Sequence, residues 1–244
     1  MLLTARRAFV GTGDGMVDDP VLIIEGGRIV DVQSRSGVDD GADLVDLGDV
    51  TLLPGLIDVH QHLAFDASTD PVAQLQVDDD DDLLERMRRH AIRALDVGIT
   101  TVRDLGDRGY LSLLLRDRFA GAEVGPRIVA SGPPITTPNG HCWFLGGGVE
   151  GVDGVRAAVR ERAARGVDVI KVMASGGNMT PTVGPHESQF GRPELGVALE
   201  EAHAAGLPLA VHAHGCQAVR DALAVGADSI EHDWQVRVGS GWSR

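Results

Sequence analysis

Residues 54–62 read Pro-Gly-Leu-Ile-Asp-Val-His-Gln-His, and the organisation of the chain follows outward from this stretch. A Pro-Gly turn leads into a short apolar run, which is typical of a buried β-strand. Two histidines follow, and because side chains alternate along a strand, His60 and His62 share one face. The stretch therefore predicts a strand over residues 56–62 that presents two imidazoles near its C-terminal end.

Beyond this strand, short apolar segments alternate with helical patterns as far as residue 232. Five further strands are predicted over residues 100–105, 127–131, 167–173, 207–212 and 228–232. Helical patterns lie between them, over residues 82–97, 109–120, 152–165, 192–205 and 216–225. Nearly continuous apolar strands that alternate with helices are typical of a parallel sheet covered by helices. We predict an α/β fold of the (β/α)8 TIM-barrel type that is incomplete, with about six β/α units present.

A doubly wound open sheet is the alternative arrangement of repeated β/α units. That architecture more often has a glycine-rich phosphate-binding turn after its first strand. No such turn follows residue 62, and the glycine-rich stretch 145–148 lacks the Gly-x-Gly-x-x-Gly spacing. The sequence therefore favours the barrel, whose active sites lie at the C-terminal ends of the strands.

The segment before Pro54 has a different pattern, of short β-segments separated by turns. Apolar runs at residues 21–24 and 29–32 are joined by a Gly-Gly turn, which predicts a β-hairpin. We predict three regions, namely an incomplete β-rich domain over residues 1–53, a partial TIM-barrel catalytic domain over 54–232 and a divergent tail over 233–244.

The composition restricts the class of protein. A net charge of −14 over 244 residues argues against nucleic acid as a partner, because phosphate binding needs clustered Lys and Arg. No apolar run of about 18 residues is present, and the N-terminus lacks the basic-then-apolar order of a signal peptide. We therefore expect a cytoplasmic protein without a membrane partner. The two cysteines, Cys142 and Cys216, form no Cys-x-x-Cys pair and are expected to be buried thiols.

Lys171 is the only lysine among the 22 Lys and Arg residues, and it lies in the predicted apolar strand 167–173. An unpaired ammonium inside such a strand is costly. A lysine amine, unlike a guanidinium, can lose its proton and act as a nucleophile. Lys171 is therefore expected either to reach solvent or a salt-bridge partner, or to be neutral or converted to a carbamate by carbon dioxide.

His212 and His232 end the fifth and sixth predicted strands. Each by itself is more often a hydrogen-bonded polar residue than a ligand. Together with His60, His62 and Lys171, however, they place four histidines and one lysine on strands, at or near the catalytic rim of a barrel. Neutral imidazoles are good zinc ligands, so this joint placement predicts a metal site.

Four stretches carry a resemblance to a known family. Residues 54–62 resemble the opening of the amidohydrolase superfamily. The other three, VIKVMASGG at 169–177, VHAHG at 211–215 and SIEH at 229–232, resemble its imidazolonepropionase-like and prolidase-like branch. The resemblance implies metal-dependent hydrolysis of an amide or peptide C–N bond in a small substrate, such as a dipeptide or cyclic amide, by a metal-activated hydroxide.

The same resemblance implies a set of site residues. His60 and His62 would bind one divalent metal ion, and carboxylated Lys171 would bridge to a second. The site therefore holds two metal ions, for which zinc is expected and manganese is the alternative. The remaining residues implied are His212 and His232 on the second metal, and His141 and His214 near the substrate.

One expected feature of the superfamily is absent. Its members carry an aspartate at the end of the eighth strand, and this chain ends at Arg244 after the sixth predicted strand. We therefore expect a C-terminally truncated member and keep open a catalytically inactive fragment. A deaminase of the same superfamily is a further alternative, although such enzymes usually hold one metal without a bridging lysine. The expected partners are a small amide or dipeptide and, because the barrel is left open, a second copy of the chain.

Overall fold

The computed structural model describes residues 1–11, 15–37 and 43–232, so the predicted tail over residues 233–244 lies outside the described part. The chain divides into two compact units, Met1–Leu56 and Ile57–Arg244. Within the described ranges, no helix combines the length and the apolar character that a membrane span requires.

The described residues of the first unit form short strands. They are β1 (Leu2–Thr4), β2 (Arg7–Phe9), β3 (Met16–Asp18), β4 (Pro20–Glu25), β5 (Arg28–Ser34), β6 (Leu44–Asp46) and β7 (Thr51–Leu52). One sheet has the order β5-β4-β1-β6 and the other has the order β3-β2-β7. The antiparallel pair β4 and β5 turns through Gly26 and Gly27, whose φ angles of 56° and 76° lie in the left-handed region that two-residue hairpins favour. The predicted hairpin is confirmed.

The second unit contains the predicted β/α alternation. Its strands are β8 (Leu56–Gln61), β9 (Ile99–Asp104), β10 (Arg127–Ala130), β11 (Ile170–Met173), β12 (Leu209–His212) and β13 (Ser229–Glu231). They form two three-stranded sheets with the orders β10-β9-β8 and β11-β12-β13. The pairs β9–β10, β11–β12 and β12–β13 are parallel. The α/β class is confirmed, and each predicted strand is present. Strand β9 is shifted by one residue, and the other five are shorter than predicted.

Backbone hydrogen bonds connect the two sheets of the second unit. The amide of Asp168 donates to the carbonyl of Ala130, at the end of β10, over 2.8 Å. The amide of Ile135 donates to the carbonyl of Lys171 in β11, also over 2.8 Å. The six strands therefore follow one another in chain order, although the described residues form no closed barrel.

Six α-helices accompany these strands in the described part of the second unit. They are α1 (Pro71–Val77), α2 (Asp80–Asp96), α3 (Leu111–Ala120), α4 (Gly151–Arg165), α5 (Arg192–Ala204) and α6 (Cys216–Val225). The five predicted helices correspond to α2–α6, while α1 was not predicted. Its start carries a recognisable signal, because the Asp70 side chain accepts from the amide of Ala73 and Pro71 occupies the first turn.

Burial differs between the strands. Every residue of β11 and β12 is buried, as the apolar pattern predicts. In β8, by contrast, Leu56, Ile57 and Val59 are more than half exposed. Among the described residues, β8 lies at the edge of its sheet and pairs only with β9, so no second strand shields its other side.

The two cysteines have different environments. Cys142 is buried, as predicted. Cys216 is exposed, so the prediction of a buried thiol was wrong for this residue. Its position explains the difference, because Cys216 is the first residue of α6 and lies in the exposed turn that begins the helix.

Candidate metal centre

The predicted metal ligands lie at the C-terminal ends of their strands or in the middle of a buried one. His60 is in β8, and His62 follows the last residue of that strand. His212 is the last residue of β12, and His232 follows β13 directly. Lys171 lies inside β11, beside β12 in the sheet. Strand ends from both sheets therefore contribute to one site.

The four predicted histidine ligands form a continuous cluster. The ring centroid of His60 is 5.3 Å from that of His62 and 4.5 Å from that of His232. The ring of His232 lies 4.9 Å from that of His212. A positive φ of 80° at His232 turns the chain at the end of β13. The fold thus brings together imidazoles from β8, β12 and β13.

The two predicted substrate residues adjoin the same cluster. The His214 ring stacks on that of His232 with 4.8 Å between centroids, and the His141 ring lies 4.6 Å from that of His212. His212, His214 and His232 each offer a ligand atom, and these atoms lie within 4.8 Å of one another. His214 is therefore close enough to its neighbours to join them as a metal donor, a role that the sequence reasoning did not give it.

Lys171 is fully buried, and its Nζ has no hydrogen-bond partner within the described ranges. The alternative of a lysine that reaches solvent is therefore wrong for this structure. Burial lowers the pKa of Lys171 from 10.5 to about 7, an effect that the carboxylate of Glu231 partly offsets. A substantial fraction of the amine is consequently uncharged near neutral pH, which is the form that reacts with carbon dioxide.

Desolvation also keeps His62, His212 and His232 neutral. It lowers the pKa of His62 to about 3 and that of His232 to about 4. It lowers the pKa of His212 well below its ordinary value, and the nearby Lys171 adds to the effect. An imidazole must be neutral to bind a metal ion, so these side chains are in the ligand form at neutral pH.

Backbone carbonyls orient two of the rings. His62 Nδ1 donates to the carbonyl oxygen of Gly106 over 2.9 Å, which leaves Nε2 available as a ligand. His212 Nε2 donates to the carbonyl oxygen of Gly176 over 3.0 Å, which leaves Nδ1 available. A hydrogen bond of this kind on the second ring nitrogen is the usual support of a metal-binding histidine. At Gly106 the approach is close, since a Cβ there would lie 3.0 Å from His62 Cε1.

Glu231 is a buried member of the site that the sequence reasoning missed. Its Oε2 lies 2.6 Å from His60 Nδ1, and its Oε1 accepts from Arg103 Nη2 over 2.9 Å. Burial alone would raise the pKa of Glu231, but the His60 hydrogen bond and the Lys171 charge outweigh it and lower that pKa to about 2. The carboxylate therefore remains ionised beside the cluster.

Arg103 and Asp104, neighbours in β9, form no ion pair with each other in the described structure. Arg103 pairs with Glu231 instead. The Asp104 carboxylate is fully buried and accepts from the amides of Leu63 and Gly106. Neighbours in a strand point to opposite faces, so the two side chains diverge. Asp104 thereby holds the backbone on both sides of the His62–Gly106 contact.

A second residue that the sequence reasoning missed, Gln189, fastens the loop that carries His141. Its Oε1 accepts from the amide of His141, while its Nε2 donates to the carbonyl of Met173 over 2.7 Å and to Thr136 Oγ1 over 3.1 Å. The His141 ring is buried, and its Nδ1 has no partner among the residues described. The ring packs so closely on Gly177 that a Cβ there would lie 2.4 Å from His141 Cε1.

The donor set as a whole fits divalent metal ions of the zinc type. Neutral imidazoles suit zinc and the neighbouring first-row metals. Buried polar groups in proteins are normally hydrogen-bonded, but the Lys171 amine has no such partner among the described residues. This exception indicates that the amine has a role other than stabilising the fold. The residues present are therefore compatible with a two-metal site that includes a modified lysine.

Comparison with known proteins identifies the family of the chain. The model of the amidohydrolase family matches residues 51–240. Ochratoxinase from Aspergillus niger is 32% identical over 216 residues, which cover 74% of this chain and 43% of ochratoxinase. The chain thus spans less than half the length of the curated relative that it matches.

Solved structures resemble nearly the whole chain. A Xaa-Pro dipeptidase with methionine bound in its active site has a TM-score of 0.87 and 32% identity, over 96% of this chain and 61% of that one. A prolidase complexed with N-methylphosphonate-L-proline has a TM-score of 0.84 and 28% identity, over 97% and 62% of the two chains. The crystal structure of A. niger ochratoxinase has a TM-score of 0.82 and 28% identity, over 97% and 60%. These likenesses imply a TIM-barrel-like α/β fold.

Proposed function

The chain belongs to the amidohydrolase family, and on that premise we propose that it serves the metal-dependent hydrolysis of an amide or peptide C–N bond in a small substrate. The observation that carries the proposal is the Lys171 amine, which is buried beside the histidine cluster and has no hydrogen-bond partner among the described residues. The family match and the likeness to a dipeptidase and to ochratoxinase support the bond type.

We assign two divalent metal ions to the cluster, zinc in the first instance and manganese as the alternative. His60 and His62 would hold one ion and His212 and His232 the other, and Lys171, as a carbamate, would be the ligand that the two ions share. The ring contacts from His60 to His232 and from His232 to His212 support this assignment, since they place both halves of the donor set in one cluster.

Formation of the carbamate uses the uncharged amine of Lys171. The nitrogen lone pair adds to carbon dioxide, an N–C bond forms, and one proton leaves to solvent with the negative charge spread over two oxygens. The lowered pKa of Lys171 supports this step, because at about 7 it makes the reactive amine available near neutral pH. A carbamate also converts an uncompensated buried cation into an anion that metal ions neutralise.

Metal ions bound in this way polarise a carbonyl group and lower the pKa of water toward about 7. The chain's own residues would bind and orient the substrate. Burial lowers the pKa of His141 to about 4, so its ring is neutral and its unpartnered Nδ1 is available for a hydrogen bond with substrate. His214, partly buried beside His232, is assigned to the same task.

The relatives support a proposal for the substrate class. One neighbouring structure is a Xaa-Pro dipeptidase and the curated relative is an ochratoxinase. We therefore propose a dipeptide or an N-acyl amino acid as the substrate, with a free carboxylate beside the scissile amide. His141 and His214 are the residues from which we expect the contacts to that substrate.

We also interpret the fold more finely than the α/β class. Strands β8–β13 and the helices between them correspond to six β/α units of a TIM barrel, within a catalytic domain over residues 54–232. The chain-order succession of the strands and the hydrogen bonds that connect the two sheets support this interpretation. The β-rich domain is assigned to residues 1–53.

Metal content of the purified chain, measured by elemental mass spectrometry after growth with zinc or manganese, tests the proposal. About two ions per chain are expected from a bridged two-metal site. The Lys171→Met variant, which keeps the volume but not the amine, is expected to hold fewer. A folded chain that takes up no metal would contradict the proposal.

Hydrolysis is tested separately on a panel of Xaa-Pro dipeptides, other dipeptides and N-acyl amino acids. We expect turnover that a chelator abolishes and added zinc restores. Retention of two metal ions without turnover of any panel member would support the alternative of an inactive binding protein. Deamination without amide hydrolysis would support the deaminase alternative.

A further inference from the structure

We propose that Glu231 is a positioning residue for the metal centre, which orients His60 through its Nδ1 and is itself held in place by Arg103. This inference rests on the two-metal site of the proposed function. It adds to that site a residue that orients a ligand without binding metal itself. The three residues come from three different strands, β13, β8 and β9, so the assembly exists only in the folded chain.

The geometry of the His60 contact assigns the ring its orientation. Glu231 Oε2 lies 2.6 Å from His60 Nδ1, and a carboxylate can only accept a hydrogen bond there, so Nδ1 carries the proton. In the neutral ring, Nε2 then has the free lone pair. A carboxylate on the distal nitrogen fixes the tautomer of a metal-binding histidine and increases its basicity.

Arg103 holds the carboxylate at the opposite oxygen. Its Nη2 lies 2.9 Å from Glu231 Oε1, and its Nε donates to the carbonyl of Val59 over 2.6 Å. Val59 precedes His60 in β8, so the same guanidinium contacts both the carboxylate and the backbone next to the histidine. Arg103 Nη2 also reaches Ser229 Oγ, in β13, over 3.2 Å. The Arg103 guanidinium therefore connects β13 to β8 next to His60.

The His60 contact is unlike those of the other ligands. His62 and His212 donate to neutral backbone carbonyls, of Gly106 and Gly176 respectively. His60 alone among these three donates to an ionised group, which gives a stronger, charge-assisted hydrogen bond. We infer that the metal ion bound by His60 receives part of its affinity from the Glu231 charge.

The first test uses the metal-free protein, so that it does not depend on the proposed function. Histidine-selective 15N labelling and long-range 15N–1H correlation spectra report which ring nitrogen carries the proton, and a His60→Gln variant assigns the signal. We expect the Nδ1–H tautomer in the wild type and a shift toward Nε2–H in Glu231→Ala. An unchanged tautomer in Glu231→Ala would overturn the proposal.

The second test measures the dissociation constant for zinc by competition with a chelator of known affinity. Loss of the carboxylate in Glu231→Ala is expected to weaken binding by about 10- to 100-fold, as outer-shell changes at metal sites do. Glu201→Gln is the matched control, because Glu201 in α5 pairs with Arg156 and Arg160 in α4, and none of these three residues is a predicted ligand. Affinity within about twofold of wild type in Glu231→Ala would overturn the proposal.

A paired variant separates positioning from stability. Glu231→Ala leaves the Arg103 charge without its partner, which destabilises a protein whatever its ligands do. In Arg103→Met with Glu231→Gln neither charge remains, so we expect the melting temperature to recover toward wild type while zinc affinity stays weakened. Recovery of both would assign Glu231 a purely structural role and reject the proposal. If the wild type binds no zinc, the proposed function fails, and the tautomer measurement alone decides the role of Glu231.

Discussion

Replacement of Lys171 by methionine is expected to stabilise the metal-free chain and to remove part of its pH dependence. Methionine fills the buried space without an amine, so no polar atom is left unpartnered. Burial lowers the pKa of Lys171 from 10.5 to about 7, which means that the folded chain binds this proton less tightly than the unfolded chain does. The magnitude follows from proton linkage between the two states.

Between these two pKa values the unfolded chain carries more protons than the folded chain, so stability rises with pH. One pKa unit corresponds to about 1.4 kcal/mol, so Lys171 costs the folded chain about 4 kcal/mol at about pH 7. At about pH 9 the cost falls to about 2 kcal/mol, and it vanishes above the unfolded-state pKa. The Lys171→Met variant lacks this component at every pH.

Urea unfolding of both proteins, stripped of metal and carbon dioxide, measures the effect at about pH 7 and about pH 9. With an m-value of about 2 kcal/mol/M, the wild-type midpoint should rise by about 1 M more than that of the variant over this range. Ionisable groups that do not interact with Lys171 cancel in the comparison. An equal pH response in the two proteins would refute the inference that Lys171 is buried without a partner.

Three further substitutions test contacts of the site and of its supporting loops. Gly106→Ala places a Cβ about 3.0 Å from the His62 ring and is expected to weaken zinc binding about tenfold. Unchanged zinc affinity would show that the ring has room to move. Gln189→Leu removes the three hydrogen bonds that hold the His141 loop, so KM for a dipeptide should rise with little change in kcat. Equal losses of kcat and kcat/KM would instead place the effect in the chemical step and contradict this prediction. Arg162→Ala removes two buried backbone contacts and should lower the free energy of unfolding by about 2–3 kcal/mol, measured by urea unfolding, and a change near zero would contradict the buried-contact argument.

Local sequence patterns were sufficient for most of the secondary structure. Apolar runs and helical periodicity predicted every strand of the second unit and helices α2–α6, because both signals arise from residues close together in the chain. Helix α1 has only seven residues, too few for a periodic pattern, and its signal lay in Asp70 and Pro71. The exposure of β8 was not predictable, since burial depends on what covers a strand and not on its own composition.

The candidate ligands were also accessible from the sequence, for a chemical reason. Histidines at strand ends and a lone lysine in an apolar strand are residue types that local stability does not favour, so their presence indicates another role. Their resemblance to family motifs then suggested how the five ligands would divide between two ions. These inferences rest on residue types and positions, both of which the sequence states directly.

The supporting contacts depended on the fold. Glu231 meets His60 across 171 positions of sequence, and Gln189 meets His141 across 48. Neither residue stands out locally, because a glutamate in a strand and a glutamine in a loop are ordinary occupants of such positions. The chain's own sequence therefore indicated which elements form and which side chains are candidate metal ligands. Only the tertiary structure decided which polar groups orient them, because hydrogen bonds form between atoms that are close in space, however far apart they lie along the chain.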